Sequence, residues 1–273
     1  MVDLITRKLS QFDLSLEVHD PEFVRPPKES QRSWSLQRAL DELAGELYHL
    51  DKTARSCVPG SQRVLIKEGW QSSEAQYDGS QLVIQDQQVM QDWERPAMEA
   101  MADIVCEGHG DVLEVGFGMG ISATYILEKG VKSYTVVECN GGVIAAFEKW
   151  RHQYPDSDIR LISGKWQEVA DQLGKYDGVF FDTYPTSEEE ITAYVRNSVT
   201  FAQAFFPVAA QCLRDGGVFT YFTDEVDSLS RPHQRAVLEY FKSLTLSVVR
   251  PLFPPEDCNY WWADSMSIIK AVK

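Results

Sequence analysis

An α/β fold, with a mostly parallel seven-stranded sheet covered by helices on both faces, is predicted by three features of the sequence. From Val112 onward, short apolar runs alternate with stretches of helical spacing. The first run leads into Gly116-Phe117-Gly118-Met119-Gly120, and the second ends in an acid, Glu138. The C-terminal region carries two more apolar runs, close enough to pair as a hairpin. Strands that alternate with helices build parallel sheets buried on both sides. A glycine turn between a strand and a helix opens a nucleotide-binding α/β unit.

Two regions are expected: an N-terminal arm and helix over residues 1–88, and the α/β domain over 89–273. Within the arm, Leu4, Leu9, Phe12, Leu14 and Leu16 suit a short helix or an extended arm, broken by Asp20-Pro21 and Pro26-Pro27. From Ser35, the leucines at 36, 40, 43, 47 and 50 form one stripe of a helix. Such a stripe packs on its own domain or forms a seam between two subunits, and a homodimer is the expectation. Arg63–Lys67 and Gln81–Gln85 read as short extended pieces, with a turn at Tyr77-Asp78-Gly79-Ser80 between them.

Gln91–Val105 has helical spacing, with Pro96 near its start, where proline is tolerated. Five strands follow at Val112–Val115, Tyr134–Val137, Arg160–Ser163, Gly178–Phe181 and Val218–Phe222. A helix is expected over Gly142–His152, and a long helical region over Glu188–Leu213, bent at Pro207. Asp215-Gly216-Gly217 reads as a turn into the fifth strand. Thr245–Val249 and Met266–Val272 complete the sheet, adding one antiparallel strand.

The formal net charge is -15, from 41 acids against 26 Lys and Arg. Such a surface repels phosphate backbones, which argues against nucleic acid as a partner. No apolar run approaches the roughly 20 residues of a membrane span, and no N-terminal signal pattern is visible. The five cysteines are odd in number and show no CxxC pairing, and the five histidines are scattered. Reduced thiols, a cytoplasmic protein and no metal site are expected.

The glycine turn alone does not name the nucleoside. Its spacing is not GxGxxG, and Glu114 stands just before it. An acid there is unfavourable beside a pyrophosphate but suits the ammonium of an amino-acid tail. A second acidic strand end, Asp182, precedes Thr183-Tyr184-Pro185. Both features point to S-adenosylmethionine, a cationic nucleoside without phosphate, whose product is S-adenosylhomocysteine. Glu138, at the end of the second strand, suits the ribose hydroxyls.

Several segments resemble the guanidinoacetate N-methyltransferases and the arginine delta-N-methyltransferases of fungi, members of the class I Rossmann-like methyltransferases. They are Val89–Met98, Leu113–Met119, Val137–Asn140, Gly164–Trp166, Phe181–Pro185, Gly216–Tyr221 and Pro254–Cys258, in that order. The resemblance runs from about Tyr77 to the C-terminus. It implies that Glu138 holds the ribose, that Gly164, Lys165 and Trp166 flank the adenine, and that Glu114, Gly116 and Gly118 line the methionine tail. Met90 would sit near the transferred methyl and Asp182 beside the cofactor. It also implies that Glu94 and Asp182 are the catalytic pair. A guanidinium is a poor nucleophile because its lone pairs are delocalised. Two carboxylates grip it bidentately and localise a lone pair, and one takes the released proton. Each acid also has a bland reading: Glu94 as a helix-start acid near the dipole, Asp182 as a turn former. Trp93 and Tyr184 are expected to line the acceptor pocket, although Tyr184 also suits a ring over the sheet edge.

One departure bears on the acceptor. After the fifth strand the chain reads Tyr221-Phe222-Thr223-Asp224-Glu225, whereas the family's loop is neutral and receives a substrate carboxylate. Asp224 and Glu225 therefore favour an arginine-like guanidine over guanidinoacetate. The alternatives are an indole or another nitrogen-containing natural-product intermediate on the same scaffold, or a dimeric module without turnover.

Overall fold

In the computed structural model the described residues are 64–195, 198–261 and 263–273. They form one compact unit starting at Val64. The leucine stripe and residues 1–63 of the expected arm lie outside them.

A small antiparallel sheet comes first: β1 (Ala75–Tyr77), β2 (Gln81–Ile84) and β3 (Gln87–Gln91). The expected turn at 77–80 joins β1 to β2. Asp78 shapes it, its Oδ1 accepting from the Ser80 and Gln81 backbone N–H groups. The extended piece expected at Arg63–Lys67 is not a strand from Val64 onward. There the chain is pinned by side chains instead: the Ile66 N–H donates to Glu188 and the Lys67 N–H to Gln85.

The main sheet has seven strands: β4 (Asp111–Val115), β5 (Ser133–Glu138), β6 (Ile159–Ser163), β7 (Tyr176–Phe181), β8 (Leu213–Tyr221), β9 (Ser243–Val249) and β10 (Met266–Val272). Their spatial order is β6-β5-β4-β7-β8-β10-β9. Every pair from β6 to β8 is parallel, and β10 runs antiparallel to both its neighbours, as the expected hairpin requires. Alternating side chains supply two cores. On β7, Val179 and Phe181 enter one core with Phe205 and Phe219, while Phe180 enters the other with Met98 and Phe147.

The helices include α1 (Arg95–Val105), α2 (Ile121–Glu128), α3 (Gly141–Arg151), α4 (Trp166–Val169), α5 (Phe206–Cys212) and α6 (Arg231–Tyr240). Pro96 sits in the first turn of α1, where the missing N–H costs nothing. The long helix expected over Glu188–Leu213 is broken. A turn at Glu188–Glu190 is capped by Ser187, a π-turn spans Ile191–Val195, and a 3₁₀ turn spans Phe201–Phe205. Pro207 starts α5 instead of bending it, and Leu213 already belongs to β8. The Asp215–Gly217 turn is a bulge inside β8, with Gly216 at φ +77° and a register shift against β7.

Chain order makes β4 the switch point. From it the chain steps outward through β5 and β6, then returns to β7 on the other side. The crevice at the carboxyl ends of β4 and β7 is where open α/β sheets hold ligands.

Candidate active site

Five strand ends deliver the predicted residues to that crevice. Gly116 follows β4, Glu138 ends β5, Gly164 follows β6, Asp182 follows β7 and Phe222 follows β8. The backbone ladder continues past them: Gly116 N–H donates to Val137 O at 2.9 Å, Gly164 N–H to Glu138 O at 2.9 Å and Asp182 N–H to Val115 O at 3.0 Å.

Gly116 has to be glycine. Its φ is +95°, and a Cβ there would stand 2.1 Å from the Asp182 carbonyl oxygen. At Gly118 an added Cβ would stand 2.9 Å from Met90 Sδ, and Met119 N–H points at the same sulfur. The glycine turn, the β7 end and Met90 are thus fitted together at backbone distance. Tyr77 closes the turn from above, its hydroxyl donating to Gly118 O at 3.1 Å.

One cleft is lined by Gly116, Glu138, Gly164, Lys165, Trp166 and Tyr184, together with Cys139, Thr183 and Glu190. Glu138 is held as an anion by three backbone donors: Phe117 N–H on Oε2, and Cys139 and Asn140 N–H on Oε1. A carboxylate has about four acceptor sites, so Oε2 keeps capacity for another donor. Burial nonetheless pushes Glu138 above its ordinary value. Asn140 caps α3 through Gly142 and Val143 and donates to Trp70 O and Ser73 O, tying segment 70–73 to this strand end. Lys165 does not stand free for a phosphate, because its Nζ pairs with Glu190 at 3.2 Å. Trp166 packs edge-on against Phe181 and Phe205, and its indole Nε1 is buried without an acceptor among the described residues. Tyr184 is half exposed, its ring 5.9 Å from Phe201.

The acids divide by environment. Glu114 has no exposed surface; its carboxylate accepts from Ser122 and Tyr134, and burial pushes it up to about 8. It therefore lies beneath the glycine turn, not on the cleft wall. Glu94 is buried, and its Oε1 accepts both the Gln91 N–H at 2.9 Å and the Tyr260 hydroxyl at 2.6 Å. Burial, and then the charge of Asp182, push it up to about 8. Burial pushes Asp182 up to about 6, and its carboxylate accepts no hydrogen bond among the described residues. Trp93 lies beside this pair, 6.0 Å from the Tyr260 ring and 6.4 Å from Trp261, with its indole N–H on Gln91.

The loop after β8 is organised from within. Glu225 is buried and accepts from the Ser230 N–H and pairs with His233 Nδ1 at 2.8 Å, while His233 Nε2 meets the Tyr221 hydroxyl at 2.6 Å. Its carboxylate is thus engaged inside the loop, away from the Glu94–Asp182 pair. Asp224 is half-buried in the same loop and has a partner of its own. Tyr77 and Tyr260 reach predicted site residues from far along the chain, and Tyr260 is one that motif reading did not single out. Tyr77 is 41 positions from Gly118, and Tyr260 is 166 from Glu94. No local pattern links either pair, and only the sheet order brings them together.

A family model for guanidinoacetate N-methyltransferase matches residues 62–231, more than half of the chain. The chain belongs to the guanidinoacetate N-methyltransferase family. It is a family of class I S-adenosylmethionine-dependent methyltransferases. Among sequence relatives, protein arginine N-methyltransferase 2 of Candida glabrata is 24% identical over 81% of this chain and 51% of its own length. The protein of that name from Saccharomyces cerevisiae is 25% identical over 81% of this chain and 50% of its own. The chain thus spans about half the length of these relatives. Spermidine synthase from Thermotoga maritima has the same fold, with a TM-score of 0.52 at 15% identity, covering 72% of this chain and 71% of that one.

The residues present fit the methyl donor that the family uses. Glu138 keeps acceptor capacity where a ribose diol needs it, and Trp166 lines the same cleft. Acids lie beneath the glycine turn and beside it, and the lysine in the cleft is neutralised. That charge pattern suits a sulfonium nucleoside and disfavours a pyrophosphate. Among the described residues no helix is long and apolar enough to cross a membrane.

Proposed function

We propose that this protein methylates a nitrogen of a small, arginine-like guanidino compound. The observation that carries the reading is Asp182: a partly buried carboxylate with no hydrogen-bond donor among the described residues, within electrostatic reach of a fully buried one, Glu94. Two desolvated acids that feel each other's charge are unfavourable unless a cation is meant to lie with them. A guanidinium is planar, always charged and rich in paired donors, which matches two carboxylates. The family membership and the arginine methyltransferase names of the relatives support the same acceptor chemistry.

In this reading Glu138 holds the ribose, Gly164, Lys165 and Trp166 flank the adenine, and Gly116 and Gly118 line the methionine tail. Glu114 supports the tail from beneath the turn, and Met90 packs beside the reacting methyl. S-adenosylmethionine, bound there, supplies an electrophilic methyl on a sulfonium. Glu94 and Asp182 would orient the guanidinium and draw its positive charge away from one nitrogen. The donor would supply the methyl, its S–C bond broken as that nitrogen gains the N–C bond, and one of the two carboxylates would take the nitrogen's proton. Trp93 lines the acceptor side; Tyr184, expected there too, lines the cleft of Glu138 and Trp166 instead. Glu225 shapes the loop after β8, and Asp224 gives that loop the negative charge that favours free arginine over guanidinoacetate. The transferase region is residues 89–273, with the arm over 1–88 preceding it.

The rings of Trp93, Tyr260 and Trp261 favour a second reading, a flat heteroaromatic acceptor such as an indole. The two readings separate when the protein is incubated with labelled S-adenosylmethionine and a panel of arginine, guanidinoacetate, an arginine peptide, amines and indoles. Label should enter a small guanidine, and mass analysis should find one added methyl. Label in an indole with none in any guanidine contradicts the proposal.

A further inference from the structure

The structure assigns Tyr260 as a positioning residue for the acceptor site: its hydroxyl fixes one oxygen of Glu94, so that the other oxygen faces the guanidinium. This rests on the reading of Glu94 as one of the two acceptor-binding acids.

Three observations support it. First, Glu94 Oε1 is saturated from two directions, by the Gln91 N–H at 2.9 Å and the Tyr260 hydroxyl at 2.6 Å. Oε2 accepts nothing from the described residues, so the donors choose which oxygen remains for the ligand. Second, the Tyr260 hydroxyl is a donor that stays a donor. Burial and the adjacent Glu94 charge hold its pKa far above the ordinary phenol range. Third, Tyr260 is itself fixed in place. It lies in the segment between β9 and β10, whose backbone is clasped by Gln88: Nε2 donates to Asp257 O at 3.1 Å, and Oε1 accepts the Asn259 N–H at 2.9 Å. Its ring packs on Trp93, which packs on Trp261, which meets Phe222 from the loop after β8.

The arrangement gives Tyr260 two effects on Glu94. It sets the carboxylate's rotation, and its donated proton favours the ionised form that a guanidinium needs. The groups facing Glu94 are the Asp182 charge, which opposes ionisation, the Cys258 thiol, which feels the Glu94 charge, and the Gln91 N–H and Tyr260 hydroxyl, which favour ionisation. Of the two donors to Glu94, Tyr260 is the one that a substitution removes without changing charge or backbone.

Tyr260→Phe keeps the ring and removes only the hydroxyl. Two measurements test it. In protein labelled with ¹³C at the glutamate δ-carbons, the Glu94 carboxyl signal is identified by its loss in Glu94→Gln. Its titration midpoint should move upward by about one pH unit in Tyr260→Phe. This holds whatever the acceptor is. Trp93→Phe, which alters the packing on the same ring but keeps the Tyr260 hydroxyl on Glu94, should leave the midpoint in place. In turnover, Tyr260→Phe should lower kcat/KM for the guanidine by about tenfold near neutral pH, with recovery at higher pH and unchanged affinity for S-adenosylmethionine. An unmoved Glu94 midpoint in Tyr260→Phe, or an equal shift in Trp93→Phe, overturns the assignment. Absence of guanidine methylation by the parent protein overturns the functional reading instead, and the carboxyl titration still decides whether Tyr260 governs Glu94.

Discussion

Glu94 and Asp182 are kept where their charge is disfavoured, and that has two measurable consequences. The folded chain holds the Glu94 proton up to about pH 8, whereas an ordinary glutamate releases it near 4.5. Between those values the folded state binds more protons than the unfolded one, so its stability falls as pH rises. The contribution is complete below about 4.5 and lost through about 8. Glu94→Gln cannot titrate and keeps the oxygen that accepts from Gln91 and Tyr260. Its melting temperature should therefore rise relative to the parent by about 4 °C or more between about pH 5 and about pH 9. A constant difference across that range would show that Glu94 is ionised throughout. The second consequence is kinetic. A guanidinium needs both acids charged, so kcat/KM should increase from about pH 6 to about pH 8 and then level off, following Asp182 and Glu94 in the free enzyme. Glu114 shows why a residue's type is not its place. As an acid before the glycines it was legible as a partner for an ammonium, but Val112 and Glu114 share one strand face, and that face is covered by α2. Ser122 and Tyr134 then claim the carboxylate. Glu225 was read as an acid at the acceptor, and the fold commits it to His233 and Ser230.

Among the elements, the strand-end motifs carry the site because each strand delivers its last residue to the same edge. The turn after β4 shows how tightly. Gly116→Ala would place a methyl 2.1 Å from the Asp182 carbonyl oxygen and 3.3 Å from Thr183 Cβ, at φ +95°. The β7 end must move. We expect a loss of more than about 2 kcal/mol of stability and a loss of turnover of at least about 100-fold. Gly216→Ala, at φ +77° with open space around it, should cost only the conformational part, about 1 kcal/mol, and leave turnover intact. Denaturant melts and rates on the two variants separate the cases. The parallel strands, the glycine turn and the C-terminal hairpin were legible because each has a local signature: an apolar run, a positive-φ turn, two runs close in sequence. The Glu188–Leu213 region was not. Apolar residues recur there at helical intervals, but the chain forms short turns whose packing against Trp166 and Phe181 is set by tertiary contact. Helix α6 is polar on most of its surface and buries little beyond His233, Ala236 and Val237, so its apolar signal is weak. In the small sheet, β2 and the turn before it were legible, but β1 and β3, of three and five residues, are too short for periodicity to mark.

Across the whole molecule, the charge of -15 and the acidic crevice act together. A negative field draws a cation toward a buried acidic site and is screened by salt. Free arginine carries one net positive charge near neutral pH, and guanidinoacetate carries none. The kcat/KM for arginine should therefore fall about two- to fivefold between low salt and about 0.5 M salt, with guanidinoacetate nearly unaffected. Equal salt dependence for the two would place the selectivity in local contacts instead of the field. In the proposed reading the fold gives the two ligands separate sides: the β4–β6 side carries Glu138, Gly164 and Trp166, while β7 and the β9–β10 segment bring Asp182 and Tyr260 to Glu94.

That division is most directly tested by Asp182→Asn. S-adenosylmethionine affinity is measured by calorimetry, and methyl transfer to arginine is followed in a single turnover with the donor saturating. The account predicts a dissociation constant within about threefold of the parent and a transfer rate lower by about 10³-fold. Collapse of donor affinity with a normal transfer rate at saturation would contradict it.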